Sequence, residues 1–60
     1  MNTYFVKSET KRYWNGDTQT LWYGHKNGWY ASGTTSKSRD ESIRLLCEKY
    51  GIISASVSVR

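Results

Sequence analysis

Leu21-Trp22-Tyr23-Gly24-His25-Lys26-Asn27-Gly28-Trp29-Tyr30-Ala31-Ser32 decides how this chain folds. Two aromatic pairs, Trp22-Tyr23 and Trp29-Tyr30, flank a Gly/Asn/Gly segment, and Asn-Gly between apolar runs is the strongest short-range hairpin signal. The same grammar recurs upstream. Thr3–Val6 and Lys11–Trp14 are rich in β-branched and aromatic residues, and Asn15-Gly16-Asp17 breaks the run. The pattern predicts a long first strand bulged near Ser8 and a two-residue type I′ turn at Asn15-Gly16. It then predicts a return strand over Thr18–Tyr23, a turn tip carrying His25, and a third strand over Gly28–Ser32. These three strands form an antiparallel meander.

Downstream the period changes. Gly33-Thr34-Thr35-Ser36-Lys37 is a polar connection, and Ser38-Arg39-Asp40-Glu41 has the form of a capping box opening a helix. Ile43, Leu46, Cys47 and Tyr50 then recur at i, i+3, i+4, i+7 as one apolar stripe, with Leu45 on its flank, and Gly51 closes the helix. From Ile53 to Val59 apolar residues alternate with serines, the signature of a half-buried strand. That strand is expected parallel to the third strand by a right-handed crossover, elsewhere in the sheet, or paired with a second copy as a homodimer. The fold class is α+β, in the order β-β-β-α-β, with one helix packed on one sheet face and residues 1–60 forming a single domain.

Composition narrows the function. At 60 residues the chain buries only about 60% of its unfolded surface. One cysteine, Cys47, and one histidine, His25, leave no disulfide and no metal cluster to staple it. A lone cysteine in an apolar helical stripe reads as a small buried hydrophobe in a reducing compartment, so the expected location is cytoplasmic. No apolar run approaches the ~20 residues of a membrane span. Nine Lys/Arg against five Asp/Glu give a formal charge of +4, which favours an acidic partner: nucleic acid or an acidic protein surface.

The faces of the sheet follow from turn parity, because neighbours in a strand point to opposite sides. With a two-residue turn at Asn15-Gly16, Trp14 faces Asp17. Tyr4, Val6, Trp14, Leu21, Tyr23 and Tyr30 then share one side. Phe5, Lys7, Glu9, Lys11, Tyr13, Thr18, Thr20, Trp22, Trp29 and Ala31 share the other. The second side carries the charges of the first strand, so the helix is expected on the first, leaving Phe5, Tyr13, Trp22 and Trp29 exposed beside Lys7 and Lys11.

The residues carry no Ser/His/Asp or Cys/His grouping, no glycine-rich phosphate loop and no paired metal ligands, so neither catalysis nor a cofactor is expected. Aromatic rings interspersed with lysines on a sheet face can stack bases while the cations track phosphates. A small sheet can also enter a DNA major groove. The candidate binding residues are therefore Phe5, Lys7, Lys11, Tyr13, Trp22 and Trp29. Lys37 and Arg39 join them in a helix-entry loop able to hold phosphate. The same aromatic face could instead anchor a protein partner, as an inhibitor, adaptor or host-modulating factor of a virus or mobile element would. In element order, residues 11–50 resemble the arm-binding domains of tyrosine recombinases and the plant AP2 domain, three-stranded sheets on one helix that dock into DNA. That resemblance implies DNA binding and transfers no particular residue.

Overall fold

In the computed structural model, which describes residues 2–60, β1 (Tyr4–Arg12) and β2 (Thr18–Lys26) pair antiparallel from Tyr4↔Lys26 to Arg12↔Thr18. The expected bulge at Ser8 is absent, and Ser8 sits in register opposite Trp22.

The loop joining these strands departs from the expected two residues, and everything downstream turns on it. The Tyr13 amide donates to the Asp17 carbonyl at 2.8 Å and the Gly16 amide to the Tyr13 carbonyl at 3.0 Å. Tyr13, not Trp14, therefore faces Asp17, across a three-residue loop of Trp14, Asn15 and Gly16. Only Gly16 has a positive φ there, 90°. A type I′ turn would need a second one, whereas a turn followed by a left-handed glycine does not. Asn15 holds the longer loop closed: its Oδ1 accepts from the Asp17 amide at 3.1 Å, and its Nδ2 donates to Asp17 Oδ2 at 3.0 Å.

The second hairpin closes with a two-residue turn at Asn27-Gly28, tighter than the expected tip between Tyr23 and Gly28, with φ of 55° and 85° and Lys26↔Trp29 and His25↔Tyr30 in register. β3 is only Trp29–Tyr30, shorter than the expected Gly28–Ser32, because the chain curls back over the edge of β2. The Ala31 amide donates to the Gly24 carbonyl at 2.8 Å, and Ser36 exchanges backbone bonds of 2.7 and 2.9 Å with Trp22.

α1 spans Arg39–Tyr50 with Ser38 as its extended N-cap and Gly51 left-handed at its end. These are the bounds that the sequence predicts. The capping box itself does not form. Ser38 makes no side-chain cap bond, and Glu41 pairs instead with Arg44 at 3.1 Å, which also holds Glu48 at 3.1 Å. Leu46 is fully buried, joined by Val6 and Ala31. Tyr4, Trp22, Ile43, Tyr50, Ile52 and Val57 pack around this cluster.

After Gly51 the chain makes a 3₁₀ turn at Ser54–Ser56 and enters β4 (Val57–Val59), which lies parallel to β1 with Tyr4↔Val57 and Val6↔Val59. The alternating segment is thus a strand only in its last part, and its partner is β1, not β3. The result is an α+β domain: one helix on a mixed four-stranded sheet ordered β3-β2-β1-β4.

A nine-residue strand is about 30 Å long, whereas a helix of 12 residues reaches about 18 Å. The β1–β2 hairpin therefore outruns its backing. Every residue from Glu9 to Thr18 is exposed, and the molecule measures 42 × 18 × 17 Å. The hairpin is an arm projecting from a small body.

Candidate functional site: the open face of the sheet

The register fixes which residues share the face that α1 leaves uncovered. Odd-numbered residues of β1 lie opposite odd-numbered residues of β2: Phe5↔His25, Lys7↔Tyr23, Glu9↔Leu21 and Lys11↔Gln19. Through His25↔Tyr30, β3 adds Tyr30 to the same face. The even positions, Tyr4, Val6, Trp22 and Gly24, face the helix.

The expectation for β1 thus stands, and that for β2 and β3 is reversed. Trp22 packs against the core. Tyr23 and Tyr30, expected under the helix, stand together on the open face with their rings edge to face at 5.8 Å. A one-residue change of loop length moves a whole strand's side chains to the other side.

One cross-strand row organises this face. The Phe5 and His25 rings stack at 4.7 Å and 2° between planes. The Arg60 guanidinium lies 4.1 Å from the Phe5 centroid on that ring's other flank, and the Tyr30 ring meets His25 at 6.2 Å. Arg60, which directly follows β4, thus forms a line with Phe5, His25 and Tyr30 across β1, β2 and β3. Hydrogen bonds set its ends: the Arg60 amide donates to the Val6 carbonyl at 2.9 Å, which brings the guanidinium over Phe5. At the other end the Tyr30 hydroxyl meets Thr35 Oγ1 at 2.8 Å. His25 is oriented further by a 3.1 Å contact between Nδ1 and the Tyr23 carbonyl.

Beside this row lies a groove of about 420 Å³ lined by Lys7, Glu9, Lys11, Tyr23, His25 and Tyr30. Two ammonium groups, one carboxylate and three aromatic rings converge on it. Glu9 makes no ion pair or side-chain hydrogen bond among the described residues. The charge is unevenly spread over the molecule. The helix and its approach carry Lys37, Arg39, Arg44 and Lys49 against Asp40, Glu41 and Glu48, and all three carboxylates are ion-paired. The strands and their end carry Lys7, Lys11, Arg12, Lys26 and Arg60 against only Glu9 and Asp17. Most of the excess positive charge therefore belongs to the sheet.

Of the residues expected to bind, Lys7 and Lys11 line the groove. Tyr13 lies farther along the same face, its hydroxyl donating to Gln19 Oε1 at 2.7 Å. Phe5 belongs to the face but is 7% exposed, so it supports His25 and offers no free ring. Trp29 is 80% exposed, but it pairs with Lys26, whose ammonium lies over Tyr50 on the helix side. Lys37 is exposed, and Arg39 pairs with Asp40 at 3.5 Å. Both stand at the start of α1, outside the groove. His25, expected at a turn tip, is inside β2 because that strand continues to Lys26. A two-residue loop at Asn27-Gly28 already implies as much.

Among the described residues no group of three or more His, Cys, Asp or Glu could hold a metal ion. Among the described residues, too, no helix is long and apolar enough to cross a membrane. No family model, curated protein or solved structure matches the chain.

Proposed function

We propose that this protein is a small nucleic-acid-binding module that holds a single strand against the open face of its sheet. The observation that carries this reading is the groove in which Lys7 and Lys11 stand beside Tyr23, His25 and Tyr30. A base can stack on the 52%-exposed Tyr30 ring, worth ~1–3 kcal/mol per base in such sites, while the ammonium groups follow the phosphates. Arg60 adds a third cation to the same face. A single strand suits the site better than a duplex, whose bases are already stacked and present no free ring face to Tyr30.

The test is fluorescence anisotropy with labelled single-stranded oligonucleotides across a salt series. Affinity should fall steeply between about 50 and 200 mM salt, and Lys7→Ala or Lys11→Ala should each flatten the logarithmic slope by ~0.7. Tyr30→Ala should weaken binding at every salt concentration. Absence of binding at ~50 mM salt would refute the reading. An affinity for an acidic protein that ignores salt and is not displaced by single strands would replace it with the protein-binding alternative.

A further inference from the structure

The groove occupies only the body end of the open face. Past Lys11, the outermost groove residue, the arm continues for one more open-face row, Tyr13 opposite Asp17, before reaching Trp14 at its apex. Nothing in the fold accounts for a tryptophan at that apex. Trp14 is 99% exposed and Tyr13 46% exposed, the arm has no helix behind it, and the loop is held by Asn15 and by backbone bonds that any residue at position 14 would allow. The Tyr13 ring is not loose, because its hydroxyl is fixed to Gln19 on the open face.

Resting on the single-strand reading above, we propose that the tip of the arm is a second stacking station. A strand lying in the groove runs outward along the open face and is held again by Tyr13 and Trp14. Lys7 and Lys11 stand along the path between the stations, against Glu9 and, opposite Tyr13, Asp17, whose carboxylate is held by Asn15 Nδ2. From the Phe5–His25 row to Tyr13, just past the end of β1, is eight residues of extended chain, about 27 Å. At ~3.4 Å per stacked nucleotide, about eight nucleotides cover that distance, and fewer do so where bases are splayed. The two stations act as linked modules, so a strand long enough to reach both gains affinity from the second at high effective concentration.

The experiment compares oligothymidylates of about three and about ten nucleotides on the wild type, Trp14→Ala, Trp14→Phe and Tyr13→Ala, at ~50 mM salt. The longer strand should bind the wild type at least about tenfold more tightly. Trp14→Ala should cost it about 5- to 100-fold, leave the short strand unchanged, and be largely rescued by Trp14→Phe. Tyr13→Ala should act in the same direction. Circular dichroism melting of the Trp14 variants should match the wild type, since that ring is free of contacts, whereas Tyr13→Ala loses the hydroxyl's bond to Gln19 and should melt slightly lower. Equal affinity for both lengths, or an equal effect of Trp14→Ala on both, would overturn the second station and leave the groove intact. Failure of both lengths to bind the wild type would overturn the groove reading, and the second station with it.

Discussion

Gly24 and Thr34 pack directly against each other, both buried. The Gly24 amide donates to Thr34 Oγ1 at 3.0 Å, and a Cβ on Gly24 would fall 2.6 Å from that oxygen and 3.1 Å from Leu46 Cδ1. The absent side chain lets the loop after β3 and the helix close on β2. Gly24→Ala should therefore destabilise the protein by about 1–3 kcal/mol through overpacking, read as a lower urea midpoint with an unchanged slope.

Thr34 is fully buried. Its hydroxyl accepts from Gly24 and donates to the Ala31 carbonyl at 2.6 Å, while Ser42 Oγ donates to the Thr34 carbonyl at 2.8 Å. Thr34→Val keeps the shape and strands the Gly24 amide, so it should cost about 1–3 kcal/mol. Ser42→Ala should cost ~1 kcal/mol. Because both changes act on one network, a double-mutant cycle should show them to be non-additive.

The two tryptophans of the second hairpin should behave oppositely. Trp22 packs on the core and Trp29 does not. Trp22→Ala should lower stability by about 3 kcal/mol, whereas Trp29→Ala should change it by less than about 0.5 kcal/mol. Equal losses in a thermal melt would mean that the β1–β2 register is not the one described.

Arg60 covers Phe5 through a cation–π contact at an exposed position. Arg60→Ala should cost ~0.5 kcal/mol, and Arg60→Lys should recover only part of it, because an ammonium lacks the guanidinium's flat stacking surface. Both are measurable by urea denaturation.

The residues made much of the fold legible. The helix bounds follow from the stripe of Ile43, Leu46, Cys47 and Tyr50 and from Gly51, and the faces of β1 follow from its alternation of Tyr4 and Val6 with Phe5, Lys7 and Glu9. The open face of β2 was not legible, for a specific reason. Asn15-Gly16 suits a two-residue turn and a three-residue loop alike, and Leu21-Trp22-Tyr23 is apolar at every position, so no polar residue breaks the tie. The one residue that could have broken it is Gly24, whose lack of a side chain suits a face closely approached by the helix. Half of the groove was hidden with that register: Lys7 and Lys11 come from β1 and were identified, whereas Tyr23, His25 and Tyr30 come from the strands that were turned over.

The pairing of β4 with β1 is the least local contact of the sheet. β1 and β2 adjoin through a short loop and can find each other early, but Tyr4↔Val57 and Val6↔Val59 join positions more than fifty residues apart in sequence. Closing so long a loop costs more entropy than closing the β1–β2 hairpin, and Val57–Arg60 are also the last of these residues to be synthesised. A nascent chain therefore exposes the hairpin before Val57–Arg60 can cover its edge, and until then Phe5 lacks the Arg60 cap.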